Sequence, residues 1–271
     1  MMKTTKRILL SIAVIILFSC GNVKTEPDIA KSSADQQIEF YQLKTYLFDN
    51  EEQMQVVDLY LEHAFLPGLE KLGIKNVGIF KPIPYPTDSI KKTLVLIPFT
   101  SFLQLTDLDE QLESDEAYRT AGSEYLTALH DQAPYQRVQS VLLKAFDNWP
   151  VMKTPKLDGP RSERVYELRS YESATEAIAA NKRHMFNAGG EITIFDELGC
   201  NPVFFGEVIS GAHMPNLMYM TTYSNQASRD EHWKKFGQSP AWEKLKTDAN
   251  YQNNVSHIDI DFLYPTEYSA Y

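Results

Sequence analysis

Apolar positions along the chain switch several times between a spacing of two residues and a spacing of three to four. Phe40 to Phe48 alternates between apolar and polar residues, which is typical of a strand. Glu51 to Leu72 has helical spacing, with Pro67 expected to kink the helix and Gly73 to end it in a left-handed conformation. The rest of this half predicts two strands, a broken helix and a closing strand, at 77–83, 93–102, 107–129 and 135–146. The predicted order is therefore β-α-β-β-α-β.

The second half of the chain repeats this order. The segment from Tyr41 to Tyr46 returns 125 positions later as Tyr166 to Tyr171, and later landmarks keep offsets of 124 to 126. Such small drift indicates the same unit with minor loop changes. The predicted elements of this half are 165–171, 175–198, 203–209, 217–223, 226–247 and 255–264.

Each half matches a split βαβ arrangement, in which two helices cover one face of a four-stranded antiparallel sheet. The other face of each sheet needs a cover, and two copies in one chain can supply it to each other. We therefore expect an α+β fold: two tandem ferredoxin-like βαββαβ modules packed sheet to sheet as an intramolecular α+β barrel. The predicted modules are 38–148 and 161–271, joined by a linker at 149–160.

The first residues are typical of a lipoprotein signal peptide. Lys3, Lys6 and Arg7 precede a run of eleven largely apolar residues, and a lipobox follows at Leu17 to Cys20. This run is shorter than the ~20 residues that span a bilayer, so a cleaved signal at 1–19 is favoured over an uncleaved anchor helix. Cys20 is the predicted lipid attachment site, and 20–37 forms a polar tether. The predicted location is the cell envelope, on the periplasmic or surface side of a membrane.

Composition narrows the choice of partners. Loss of the signal peptide removes three positive charges and takes the formal net charge from −10 to −13. A nucleic-acid partner is therefore not expected, and the lipid on Cys20, rather than a basic patch, would hold the protein at the membrane. After lipidation Cys200 is the remaining cysteine, which excludes an internal disulfide and predicts a small buried side chain.

The second half resembles the NIPSNAP family. The resemblance covers about 160–268 and is carried by Gly206-Glu207, Asn216 to Met220, Arg229-Asp-x-His232-Trp233 and Ser239-Pro240-x-Trp242. The first half follows only the outline and lacks the Arg-Asp-x-His-Trp helix start. The resemblance implies a ferredoxin-like α+β barrel, with relatives that include cofactor-free monooxygenases and isomerases. It supplies no catalytic residue.

Strand alternation predicts a polar cluster on the faces opposite the helices, where the two sheets would meet. In the second half, Tyr166 and Leu168 are assigned to the helices. In the last strand, Ile258, Ile260 and Phe262 are expected to be buried, which leaves His257, Asp259 and Asp261 on the far face. The first and last strands of a module are neighbours, so Arg169 and Tyr171 are expected across from Asp259, Asp261 or His257. The candidate cavity residues are Lys44, Tyr46, Glu167, Arg169, Tyr171, His257, Asp259 and Asp261.

These residues allow two interpretations. The cluster could hold a small ligand or transfer protons, or its charges could simply pair to fill the interface between the sheets. Arg229 and His232 are likewise either a helix cap with core packing or the rim of the cavity mouth. No metal is predicted, because His257, Asp259 and Asp261 follow one strand and metal ligands usually converge from several elements. No cofactor is predicted either, since the sequence has no glycine-rich phosphate loop and no Cys-x-x-Cys pair.

Three functional hypotheses follow. The first is an envelope lipoprotein that binds a small organic molecule or a protein partner. The second is a cofactor-independent monooxygenase or isomerase, with His257 or Asp259 as base and Arg169 or Tyr171 holding an enolate oxygen. The third is an interaction module whose outer helices dock a partner. A cavity with His257 or Asp259 pointing inward would favour the first two.

Overall fold

The computed structural model describes residues 37–83, 91–155 and 157–271. The predicted signal peptide, Cys20 and the tether up to residue 36 lie outside the described residues. Within the described part of the chain, no helix has both the length and the apolar character needed to cross a membrane.

The first module contains four strands and two helical regions. Its first helical region is α1 (Glu51–Tyr60), a π-helical turn (Leu61–Phe65) and α2 (Leu66–Lys71), and its second is α3 (Phe102–Thr106), α4 (Leu108–Ser114), α5 (Glu116–Ala121) and α6 (Ser123–Leu126). Its strands are β1 (Phe40–Phe48), β2 (Gly78–Pro82), β3 (Lys91–Phe99) and β4 (Arg137–Ala145).

The second module repeats this order. Its strands are β5 (Val165–Glu172), β6 (Pro202–Ser210), β7 (Asn216–Tyr223) and β8 (His257–Pro265). Its helices are α7 (Glu176–Phe186), α8 (Glu191–Glu197), α9 (Gln226–Gln238) and α10 (Pro240–Lys246). The helix predicted over 175–198 is divided at 187–190, where Gly190 adopts φ +90° and so interrupts the right-handed helical backbone.

The helix boundaries follow from local chemistry. Asn50, Thr175 and Asn225 each accept a hydrogen bond from a backbone N–H three residues later, which satisfies a donor that the helix itself leaves free. Pro67 lacks an N–H and crowds the preceding turn, and the wider π-helical turn lies immediately before it. The helix ends as predicted, with Gly73 at φ +76°.

The eight strands form one closed antiparallel barrel in the order β1-β3-β2-β8-β5-β7-β6-β4. Each module contributes the four-stranded sheet expected of a ferredoxin-like unit, with its first strand next to its last. The sheets join through hydrogen-bonded edges, where β2 pairs with β8 and β4 pairs with β6. The predicted tandem α+β barrel is confirmed, and closure leaves neither sheet with an open edge.

Three apolar clusters hold this fold together. One fills the barrel and includes Leu96, Phe204 and Met220, and the other two lie between the outer barrel surface and the helices of each module. The C-terminal Tyr271 also packs into the barrel, with its ring 5.6 Å from that of Phe80. Both faces of β5 and β7 are therefore buried, whereas the first halves of β4 and β8 are exposed.

This double burial explains an error in the predicted strand faces. Tyr166 and Leu168 belong to the cluster inside the barrel, not to the layer under the helices. The side chains of Glu167 and Arg169, which alternate with them, contact helix α9, and Tyr171 belongs to the helix-side cluster. The prediction took the more polar set as the inner face, but in this module the helices cover the polar set.

Candidate functional site

The barrel interior opens at one end into a cavity of about 640 Å³. Its apolar wall consists of Leu43, Leu94, Val141, Leu168 and Met218. Its polar positions include Thr45, Lys92, Gln139, Ser170, Asn216, Asp259 and Asp261. The volume falls within the ~300–1,000 Å³ typical of small-molecule sites.

The amino-acid sequences of β5 and β1 explain this opening. Along β5 the inward positions run from Tyr166 through Leu168 to Ser170, so that the side chains become smaller and more polar toward the mouth. Along β1 the inward residue Leu43 is followed by Thr45. The large aromatic residues close the far part of the barrel, whereas the small polar residues leave space at the mouth.

Polar groups in the mouth are partly paired. The ammonium of Lys92 lies 2.6 Å from Oδ1 of Asp261, and both side chains are half-buried. The Nδ2 of Asn216 donates to Oγ of Ser170 at 2.8 Å. Oδ1 of Asn216 is buried and accepts no hydrogen bond from any described residue, although the whole residue is only 6% exposed. A buried acceptor of this kind costs free energy until a donor meets it.

The predicted site residues of β8 lie in two different environments. Asp259 and Asp261 line the cavity, as the predicted inward face requires. His257 is exposed at the edge of the mouth, where Nε2 lies 3.0 Å from Oδ1 of Asp259. The prediction that Ile258 and Ile260 are buried is wrong, because they are 45% and 41% exposed. Ile260 also borders the cavity.

Glu167, predicted to face the cavity, instead lies under the helices of the second module. It is fully buried, and its carboxylate accepts from Nε and Nη2 of Arg229 at 2.8 and 2.9 Å. It also accepts from Nε of Arg169 at 2.7 Å and from the indole N–H of Trp233 at 2.7 Å. Four donors therefore converge on one carboxylate, which offsets the cost of removing its charge from water.

The network continues from Arg169 into two tyrosines. Nη1 of Arg169 donates to the hydroxyl of Tyr171 at 2.7 Å, and that hydroxyl lies 2.9 Å from the hydroxyl of Tyr219. Burial raises the pKa of Tyr219 well above its usual value, so this phenol stays protonated. The guanidinium of Arg169 lies 4.0 Å from the ring centre of Trp233. Arg169 and Tyr171 are thus held in a packed interior on the outer side of the barrel wall.

A second buried ion pair lies in the same helix-covered layer. Nζ of Lys182 lies 2.8 Å from Oε2 of Glu191, and both side chains are buried. Burial raises the pKa of Glu191, while the ammonium of Lys182 acts in the opposite direction. Charges are therefore part of the internal packing of this module.

Four further predicted placements are corrected. Tyr46 packs under the helices of the first module, with its ring 5.6 Å from that of Tyr135, and Nζ of Lys44 lies 5.3 Å from the ring centre of Phe65. Arg229 binds Glu167 and does not rim the mouth. Nδ1 of His232 donates to the carbonyl of Ser228 at 2.7 Å, within its own helix. Lys44 and Tyr46 face helices because β1 has the opposite alternation to the predicted one. Arg229 and His232 lie on α9, where Arg229 reaches the buried Glu167 and His232 bonds to its own helix.

These positions bear on the enzyme hypothesis. The proposed base, Asp259, faces into the barrel mouth, whereas Arg169 and Tyr171 lie on the other side of the barrel wall. In the β5–β8 register Asp259 is opposite Ser170, and Arg169 is opposite Ile260. The proposed combination of base and enolate-binding group is therefore not formed.

Sequence reasoning missed several residues of the mouth. Lys92, Ser170, Asn216 and Met218 line the cavity but were not among the predicted site residues. The alternation along β5 could have identified Ser170, because Ser170 shares its face with Leu168 and pairs with Asp259. Choosing the less polar face of β5 as the inner one would have identified this residue.

The fold and the site define the class of protein: a single-chain ferredoxin-like α+β barrel with an open, mixed polar and apolar mouth. Residues 166–270 match the NIPSNAP family profile, so the second module is a NIPSNAP domain. No curated protein matches the chain.

Solved structures share the fold at low sequence identity. A Fusobacterium nucleatum protein named provisionally as a monooxygenase is 6% identical, with 84% of this chain and 92% of that chain covered, at a TM-score of 0.56. A similarly named Lactobacillus acidophilus protein is 10% identical, with 84% and 94% covered, at 0.51. A NIPSNAP family protein of unknown function from Agrobacterium tumefaciens is 18% identical, with 40% and 93% covered, at 0.35. At these identities the first two likenesses establish the barrel fold and no activity.

Proposed function

We propose that the protein is an envelope lipoprotein that binds a small amphipathic organic molecule in the mouth of its barrel. The observation that carries this proposal is the cavity of about 640 Å³, with an apolar wall and polar groups concentrated at its opening. Ligand sites commonly combine a mainly apolar lining with a few placed polar groups.

The lining indicates the chemistry of the ligand. Leu94, Leu168 and Met218 would contact an apolar body, and the half-buried Lys92–Asp261 pair would meet a polar or charged head group near solvent. The unpaired Oδ1 of Asn216 favours a ligand that carries a hydroxyl or amine donor. A small molecule with one polar end and one apolar end fits these three features together.

The envelope part of the proposal rests on the sequence before the barrel. A lipid on the predicted attachment site Cys20 would anchor the chain, and the predicted tether at 20–37 would join it to the barrel. A binding protein at this location would meet molecules that enter or leave the envelope.

Native mass spectrometry of the full chain isolated from its own host tests ligand binding. A mass increase that disappears on denaturation is expected, and extraction should give a small amphipathic compound. Thr45→Trp places a large ring at the cavity wall and should abolish the added mass while the far-UV circular dichroism stays unchanged. Thr120→Trp, on the exposed face of α5, is the matched control and should retain it.

Two results would overturn this proposal. One is wild-type protein from the native host that carries no small molecule under conditions that keep the barrel folded. The other is a bound molecule that remains in the Thr45→Trp variant, because it would then lie elsewhere.

A further inference from the structure

Four potential metal ligands gather at the edge of the barrel mouth. Ligand atoms of Glu172, His257 and Asp259 all lie within 4.8 Å of one another. A second imidazole lies beside one member of this group, since Nδ1 of His213 is 3.0 Å from Oε1 of Glu172. The group therefore contains two imidazoles and two carboxylates.

These ligands come from three different elements. Glu172 ends β5, His257 begins β8 directly opposite it, and His213 lies in the connection between β6 and β7. Residues of β8 alone could not form such a site, because ligands two residues apart on one strand are ~6.5–7 Å apart along the chain direction. Asp259 lies two residues after His257 on β8, opposite Ser170, and so faces the same side of the sheet.

The geometry is close to that of an occupied site. Zinc binds nitrogen and oxygen ligands at about 2.0–2.2 Å, so ligands of one ion lie within ~4.4 Å of one another. The ligand atoms of Glu172, His257 and Asp259 already lie within 4.8 Å of one another, close to that separation, and all three side chains reach solvent. The two carboxylates also give the group negative charge, which attracts a cation.

An independent observation is a buried polar atom without a described partner in the wall of the same mouth. Asn216 lies opposite Glu172 in the β5–β7 register, and its Oδ1 is buried without a described partner in the wall of the same mouth. His213 and Asp259 also line that cavity. An ion held here would lie at the opening through which a small molecule enters.

We propose that Glu172, His213, His257 and Asp259 bind one divalent transition-metal ion at the rim of the barrel. Imidazole ligands favour zinc, copper, nickel or iron over calcium and magnesium, which prefer oxygen ligands alone. The ion would offer a coordination position to an oxygen or nitrogen atom of a molecule in the mouth. The proposal adds a metal to the mouth and does not depend on which organic molecule binds there.

Calorimetric titration of the untagged full chain with Zn²⁺ tests this site. One equivalent should bind, and Glu172→Gln, His257→Gln and Asp259→Asn should each weaken the affinity at least about tenfold, as loss of groups that support a metal usually does. The corresponding Co²⁺ complex should show visible absorption that each variant alters. The substituted side chains lie at the edge of the mouth, so circular dichroism should remain that of the wild type.

His63→Gln is the matched control, because His63 is also an exposed imidazole beside a carboxylate, 3.9 Å from Oε2 of Glu62. Its Zn²⁺ affinity should stay within about twofold of the wild-type value. The proposal is overturned if the wild type binds no stoichiometric Zn²⁺, or if the three site variants bind it as tightly as His63→Gln does.

Discussion

Replacement of Glu167 by Gln should destabilise the fold strongly while leaving the shape of the side chain almost unchanged. The carboxylate accepts four hydrogen bonds, three of them from the guanidinium groups of Arg169 and Arg229. The amide removes the negative charge and also places a donor where only donors converge. Two mostly buried arginines then lose their shared anion.

The expected magnitude follows from the surroundings of each arginine. Loss of one partner from a buried pair costs about 3–5 kcal/mol, because the remaining charge is left uncompensated. Arg229 retains a contact to the exposed Asp230 at 3.1 Å, so the lower end of that range is expected. For a domain of this size a loss of ~3 kcal/mol lowers Tm by about 6–12 °C.

Urea unfolding followed by far-UV circular dichroism measures this change, and Glu207→Gln is the control. Glu207 pairs with Arg183 at 3.1 Å in a partly exposed position, so its loss should cost less than ~1 kcal/mol. Changing Glu167 together with Arg169 and Arg229 to apolar residues should recover much of the stability. The reasoning fails if Glu167→Gln is no worse than Glu207→Gln, or if the triple change recovers nothing.

Three other predictions concern the cysteines and the joint between modules. Cys20→Ser should abolish palmitate labelling and leave an unprocessed precursor, and continued labelling would refute the lipoprotein proposal. Burial raises the pKa of Cys200 to about 11, so its thiol should resist a disulfide reagent at pH 8 until the chain unfolds. Above pH ~9 the thiol ionises in the unfolded chain but not in the folded one, so the free energy of unfolding should fall. Rapid labelling of the native protein that is lost in Cys200→Ala would contradict this. A fragment of residues 160–271 loses the β2–β8 and β4–β6 pairings and should dimerise or aggregate, whereas a soluble monomer would show that these edges are dispensable.

The fold was predictable because its signals are redundant. Repetition of the segment Tyr41 to Tyr46 as Tyr166 to Tyr171 indicated a duplicated module, and the order of strands and helices restricted each module to a known topology. An uncertain boundary at one element, such as the break before Gly190, does not change that order. Agreement among many weak signals therefore determined the architecture.

The faces of the strands were harder to predict, because alternation gives two sets of residues but not their direction. On β5 one set begins with Tyr166 and Leu168, and the other contains Glu167, Arg169 and Tyr171. A one-residue change in assignment moves every side chain to the other face. Polarity is a safe guide when one face meets water, but both sets on β5 are buried. Only the partners supplied by α9 distinguish them.

Site residues were predictable where a strand reaches solvent. Asp259 and Asp261 were placed correctly because the first part of β8 is partly exposed and its polar positions face the mouth. Lys92 was not found, since its role depends on contact with Asp261, which is 169 positions away in the sequence. Contacts of this kind arise from barrel closure and leave no local pattern.

The buried network also explains how α9 can pack on the barrel with so little apolar surface. Among its thirteen residues only Phe236 is fully buried, whereas helix α4 of the first module buries Leu108 and Leu112 within seven. In the first module the position of Glu167 is taken by Gln42, an uncharged side chain that donates to Ser140 on β4. The Arg229 and Trp233 side chains of the family motif therefore replace apolar contacts with charge-assisted hydrogen bonds to one carboxylate. Because such bonds require a fixed geometry, they set the position of α9 on the sheet more narrowly than apolar packing would, and loss of Glu167 should increase amide hydrogen exchange in α9 before it does so in α4.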